Sequence, residues 1–184
     1  FPHSVVKGVF HSVSAFCNAG FDLLGDRGQY SSLMTFSDNA VIHITLALLI
    51  ILGGLGFVIW EDIYTKRSFR KLTFYSKLVI ITSLILIITG TLFLFAIEHA
   101  NPHTMGPMNQ GGKWLAAFFQ SVSARTAGFN SVDLDGLRTA SKLLLIILMF
   151  IGAASGSIGG GRLSAPYAGA GRSGLPSARS PSPR

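Results

Sequence analysis

Phe10 to Phe21 reads F-H-S-V-S-A-F-C-N-A-G-F, and Phe119 to Phe129 reads F-Q-S-V-S-A-R-T-A-G-F. With a one-residue gap, eight positions agree between the two stretches, which start 109 residues apart. They are the leading Phe, then S-V-S-A, then A-G-F. Each copy follows a helix-compatible amphiphilic stretch, and each leads through polar residues into an apolar run. The repeating unit is therefore a span, a short re-entrant helix, an A-G-F strand and a second span. The chain holds one such unit without its first span and one nearly complete unit. Repeats of this kind are common in membrane transporters. One S-V-S-A taken alone fits an ordinary small-residue helix contact, and A-G-F alone says little. Two copies in the same setting, both ahead of a span, favour a pore segment.

The rest of the composition agrees with a membrane setting. Charged residues make up only 12% of the chain, about half the usual share in a soluble domain. Ala40 to Trp60 carries no charge. Neither does Leu78 to Ile97, which Thr73 to Ser76 extends with Lys77 as the only break. Each run reaches the roughly 20 residues needed to cross a bilayer core. A third run, Leu143 to Ala154, is shorter and dissolves into Gly and Ser. Phe1 to Lys7 does not read as a secretory signal. The formal net charge of +7 is shared with a tail after Gly161 that holds Arg162, Arg172, Arg179 and Arg184 and no acid. That tail lacks the interleaved aromatics of a base-stacking surface, so nucleic acid is not an expected partner. The single cysteine, Cys17, excludes an internal disulfide framework and a cysteine-only metal cage. No Ser/His/Asp, paired-carboxylate or metal-ligand constellation points to an enzyme, and no cofactor is expected in the chain.

Charge also orients the spans. Lys66, Arg67, Arg70 and Lys71 lie between the first two, and basic short loops stay cytoplasmic. The loop 98–112, without Lys or Arg, then lies outside. The expected fold class is all-α transmembrane, with repeated span–re-entrant pore helix–span units. The segments run 1–39 (re-entrant pore helix and filter strand), 40–60 (span), 61–72 (cytoplasmic loop), 73–97 (span), 98–112 (extracellular loop), 113–140 (second re-entrant pore helix and filter strand), 141–161 (interrupted span) and 162–184 (disordered tail).

A re-entrant loop suits one particular chemistry. As a helix, Lys113 to Ala124 spans about 18 Å, only part of the bilayer. The chain must then return extended, and non-helical backbone at membrane depth is tolerated only against protein or a water-filled cavity. A filter lined by carbonyl oxygens that replace an ion's hydration shell meets that condition. Gly20 and Gly128 can take backbone angles that turn carbonyls inward, and the C-terminal end of a short helix favours a nearby cation.

These residues, with G-G-L-G-F at Gly53 to Phe57 and G-A-A-S-G-S-I-G-G-G at Gly152 to Gly161, resemble the Ktr/Trk/HKT superfamily of potassium transporters. The nearest likeness within it is the KtrB-like ion-conducting membrane subunit. The resemblance runs from about Phe10 to Gly161 and fits parts of the second and third of that family's four repeats, which implies part of a pseudo-fourfold, ion channel-like pore and a tail, 162–184, that is not homologous to the family. It implies that Asn18, Ala19, Gly20 and Phe21 form one filter strand, and that Thr126, Ala127, Gly128 and Phe129 form the next. It implies an intramembrane gate at Gly152, Ala153, Ala154, Ser155, Gly156, Ser157, Gly159, Gly160 and Gly161. Low helix propensity across that run points the same way, while close helix packing through small residues is the alternative. The transported ion is expected to be K+, with Na+ as a second candidate for coupling or co-transport. The expected partners are the lipid bilayer of the cell membrane, a second copy of the subunit in a homodimer, and a cytosolic nucleotide-binding regulatory subunit. With only two filter strands, the chain by itself is expected not to conduct unless fragments assemble, and transport belongs to the parent protein; the alternative reading is a non-conducting, truncated or frame-shifted membrane fragment that pairs with intact subunits.

Other residues carry more ordinary expectations. Gly53, Gly54 and Gly56 read as helix-packing positions, and His43 as a neutral imidazole bonded inside a bundle. Arg125 either tunes the filter or anchors its loop through backbone carbonyls or through Asp133 or Asp135. Asp38 and Asn39 read as a helix cap.

Overall fold

The computed structural model describes residues 2–24, 33–34, 39–125 and 127–152, and among these the regular elements are all helices, joined by turns and loops, with no strand. Six α-helices follow in order: α1 (Pro2–Phe16), α2 (Ala40–Leu55), α3 (Phe57–Lys66), α4 (Phe74–Glu98), α5 (Gln110–Ser123) and α6 (Thr139–Ile151). A 3₁₀ turn, Phe69–Lys71, precedes α4. The tail 162–184, the gate residues from Ala153 onward, Thr126 and the Asp38 cap lie outside the described residues.

α4 is one uninterrupted apolar helix of 25 residues, about 37 Å long. Among the described residues it is the one helix long and apolar enough by itself to cross a membrane. Its start is fixed by Thr73, whose hydroxyl accepts from the Ser76 N–H, and Thr73 is itself held by Asp62 Oδ2 at 2.8 Å through both its N–H and its hydroxyl. α6 is apolar but shorter, ending at Gly152, which takes φ +67°.

The apolar run 40–60 is not one helix. α2 starts at the Asn39 cap, whose side-chain oxygen accepts from the Ile42 N–H, and stops at Leu55. At Gly56 the chain takes φ +86° and ψ 152°, and α3 leaves at 89° to α2. The broken turn is patched from the side: the Trp60 indole N–H donates to the Leu52 carbonyl at 3.0 Å. The break follows from glycine's access to positive φ. Together α2 and α3 have the length and apolarity of a second, bent crossing.

The helices pack in a chain of neighbours: α1 on α2, α2 on α5, α5 on α4 and α4 on α6. One core joins Ala15, Ala47, Ile50, Phe119, Val122 and Phe129; a second joins Leu94, Met105, Ala117, Ala124, Leu145 and Leu148. The short helices α1 and α5 thus flank α2, and the residues just after each are brought towards one another. Large apolar side chains on the outer faces of α4 and α6, such as Leu84, Phe93, Ile146 and Phe150, are exposed, as on helices that face lipid rather than water.

Candidate functional site

Both copies of the repeated motif run off the C-terminal end of a short helix and take similar local geometry. In the first, the Ala19 N–H bonds the Ser14 carbonyl at 2.9 Å, and in the second the Ala127 N–H bonds the Ser123 carbonyl at 3.0 Å. Gly20 and Gly128 follow with φ +70° and +84°. The loop is then closed by the serine side chain: Ser14 Oγ donates to the Phe21 carbonyl at 2.8 Å, and Ser123 Oγ to the Phe129 carbonyl at 2.5 Å. These are matched positions, the second serine of S-V-S-A and the Phe of A-G-F. The first copy is one residue longer between them. Asn18 lies in that longer stretch and turns through left-handed backbone (φ +51°), which asparagine tolerates better than most residues. The Asn18 side chain is buried there, and its amide finds no partner among the described residues.

The two loops touch. A Cβ on Gly20 would collide with the Ala127 carbonyl oxygen and come within 3.3 Å of Gly128 Cα. The chain beyond the first loop is tied to the second as well, through Leu33 N–H to the Asn130 carbonyl at 3.1 Å. Of the eight residues named as filter positions, seven are described, and both A-G steps meet at one place. The environments differ: Phe129 is fully buried, packed with Ala127 and Phe119, whereas Phe21 is 69% exposed. His11, at the position equivalent to Gln120, closes the first loop further by accepting from the Leu23 N–H at 3.4 Å.

Each of these two short helices is fixed by close approach. A Cβ on Gly53 would collide with the Phe16 carbonyl oxygen, so α2 touches the end of α1 at backbone distance. On the other side, Ser121 Oγ donates to the Ile87 carbonyl of α4 at 3.1 Å. His43 sits between α2 and α5, donating to the Asn39 carbonyl at 3.1 Å, with its ring edge-on to Phe119 at 4.8 Å. Arg125 is buried and crosses to α4, where its guanidinium bonds Ser83 Oγ at 2.9 Å and the Ser83 carbonyl at 3.4 Å. Asp133 is used locally instead, accepting from the Asp135 N–H. Of the gate positions only Gly152 is described, capping α6 with its N–H on the Leu148 carbonyl at 3.0 Å.

One residue that sequence reading passed over organises the same end of the molecule. Glu98, at the end of α4, is fully buried and accepts four hydrogen bonds. Asn101 Nδ2 (2.6 Å) and Thr104 Oγ1 (2.7 Å) reach Oε2; the Arg138 N–H (2.9 Å) and Ser141 Oγ (2.5 Å) reach Oε1. Four donors suit an acceptor-only carboxylate. The only signal in the sequence is a lone Glu closing a long apolar run. Among the described residues, no three His, Cys, Asp or Glu side chains cluster as metal ligands.

Comparison with known proteins agrees with the earlier resemblance. Residues 2–164 match the family model described as TrkH, cation transport protein. The Ktr system potassium uptake protein B of Vibrio alginolyticus is 47% identical over 155 residues, and that of Bacillus subtilis 37% over 153. The potassium/sodium uptake protein NtpJ of Enterococcus hirae is 42% identical over 154 residues. Each alignment covers 83% of this chain but 33% of the relative, so the chain spans about a third of the length of these curated relatives.

Proposed function

Because the chain belongs to the TrkH family of cation transport proteins, we propose that it supplies two adjacent filter segments of a potassium uptake transporter in the cell membrane. A member of a transport family is not an enzyme, and the chemistry asked of these residues is coordination. In this reading Asn18–Phe21 and 126–129 line the ion path, and the A-G steps present backbone carbonyls to a dehydrated cation. The observation that carries the proposal is the pairing of the loops. Two copies of one motif, each with a positive-φ glycine and a serine-closed turn, meet at Gly20 and Ala127–Gly128.

The remaining expectations stand with that reading. Residues 152–161 form the gate beneath the filter, and α1 and α5 are re-entrant pore helices within a chain that crosses the membrane several times. Potassium is the transported ion. Sodium stands beside it because one relative is named for both ions. Two loops enclose only part of a ring, and the valines on the outer face of α1, Val5, Val6, Val9 and Val13, are exposed. Further repeats of a longer protein would cover them and complete the ring. A homodimer and a cytosolic nucleotide-binding regulator complete the assembly.

The test is growth of a potassium-uptake-deficient bacterium at low potassium, with the protein completed to the length of its relatives. Rescue that is weakened by Gly128→Ser at equal expression supports the filter. Rescue unaffected by Gly128→Ser, or no rescue from a protein that inserts into the membrane, would overturn it.

A further inference from the structure

The right-angled break at Gly56 has a second consequence. α2, at 16 residues, is about 24 Å long, about 6 Å short of a roughly 30 Å bilayer core, so its end falls near the core boundary. With α2 along the membrane normal, a helix leaving it at 89° lies parallel to the membrane plane. α3 is built for that position. Its inner face packs Ile59 against Val79, with Leu55, Ile63 and Tyr75 around them. Its outer face exposes Phe57 (71%), Trp60 and Tyr64 (77%), and the following turn and helix start expose Phe69 and Phe74. Tryptophan and tyrosine favour the headgroup level of a bilayer.

The charges lie in the same place. Residues 61–77 hold five cations, Lys66, Arg67, Arg70, Lys71 and Lys77, against two carboxylates. One carboxylate is already committed: Asp62 pairs with Lys66 at 2.7 Å while holding Thr73. That link folds the 3₁₀ turn back beside α3, so Arg67, Arg70 and Lys71 stand exposed beside the aromatic row. Arg67 lies over the Tyr64 ring at 6.0 Å, and Lys77 Nζ donates to the Arg70 carbonyl at 2.7 Å. A surface helix with an aromatic face and a clustered cationic edge has the form that binds anionic membrane surfaces.

We propose that α3 and the turn 67–71 form a binding site for anionic phospholipid headgroups. The aromatic row sits at the acyl boundary, and Arg67, Arg70 and Lys71 hold the phosphates. The interleaving of aromatic and basic side chains favours lipid over a soluble acidic partner, which needs no aromatic row. The inference rests on the membrane placement of α2 and α4 but not on which ion crosses.

The test uses the full chain carrying Trp114→Phe, which leaves Trp60 as the sole tryptophan, in bilayers of phosphatidylcholine and phosphatidylglycerol in equal parts. Bromines are placed on the chains of one lipid or the other. The expected result is stronger quenching of Trp60 by brominated phosphatidylglycerol. Added salt should weaken that preference, and the triple substitution R67Q/R70Q/K71Q should abolish it. At about fivefold per cation, the three together change relative lipid affinity on the order of 100-fold. Equal quenching by both lipids, or a preference that survives the triple substitution, overturns the lipid site and leaves the cations to a soluble acidic partner. Loss of the preference with inorganic phosphate, but not with sodium chloride at the same ionic strength, overturns it in favour of a free anion. No quenching by either lipid places Trp60 away from the bilayer, which refutes the membrane placement itself. If Trp114→Phe does not fold, native mass spectrometry replaces the optical readout. There the wild-type chain should retain more bound phosphatidylglycerol than the triple variant, and equal retention overturns the proposal.

Discussion

Replacing Glu98 with Gln turns one of its two acceptor oxygens into a donor. Two of the four hydrogen bonds go with it, whichever oxygen is exchanged: Asn101 and Thr104 at Oε2, or Arg138 and Ser141 at Oε1. Each side has one hydroxyl that can turn round and accept from the new amide. Each also has one obligate donor, the Asn101 amide or the Arg138 N–H, that is left facing another donor. Hydrogen bonds to a charged group contribute about 1.5–3 kcal/mol each, and a stranded buried donor costs about 1–3 kcal/mol. With one bond recovered as a neutral contact, the expected destabilisation is about 2–4 kcal/mol. Ser141→Ala removes a single bond and is expected to cost about half as much. The assay is denaturant unfolding of the purified chain in detergent, with a double-mutant cycle between the two positions. The cycle must return a coupling, because Ser141 donates to the atom that Glu98→Gln can alter. A Glu98→Gln cost below about 1 kcal/mol, or strict additivity with Ser141→Ala, would refute the view that this carboxylate clamps α4 to α6.

Other perturbations follow from single contacts. Gly20→Ala places a Cβ in left-handed backbone, costing about 1–2 kcal/mol, and drives it into the Ala127 carbonyl. The completed protein should insert normally yet lose potassium-dependent growth, and unchanged growth would refute the contact between the loops. Gly53→Ala drives a Cβ into the Phe16 carbonyl; an overpacking cost of about 1–3 kcal/mol should appear in thermal unfolding of the purified chain. Ser83→Ala should destabilise by about 1.5–3 kcal/mol by removing the Oγ partner of the Arg125 guanidinium while its weaker contact with the Ser83 carbonyl remains, whereas Asp133→Ala should stay within about 0.5 kcal/mol in the same unfolding measurement.

What the sequence discloses depends on how far its causes reach. The short helices ahead of A-G-F were legible because everything that shapes their ends lies within eight residues: the second serine of S-V-S-A, the glycine and the phenylalanine carbonyl. α4 was legible because 25 residues share one state without interruption. The break at Gly56 was not. Gly53, Gly54 and Gly56 are alike in sequence, yet Gly53 stays helical against the Phe16 carbonyl and Gly56 turns to positive φ. Tertiary contact, not propensity, sorts them. α5 begins at Gln110 rather than Lys113 because Gly111 and Gly112, poor helix formers in isolation, are carried into the first turn. Arg125 reaches Ser83 across 42 residues, and Glu98 reaches Ser141 across 43; no local pattern announces either. For Arg125 the expectation of a backbone carbonyl was met at Ser83, whereas the named carboxylates were not the partner.

The serine that closes each loop lies six or seven residues before the carbonyl it holds. A turn closed over so short a distance is self-contained: it needs nothing from the rest of the protein to form in either copy. The copies differ in what that shared turn carries. The first copy has an extra residue, with Asn18 in its lengthened turn; the second has Arg125, reaching a neighbouring helix from the place where the first has Phe16. The closure is common to both places; the side chains hung on it make each wall its own.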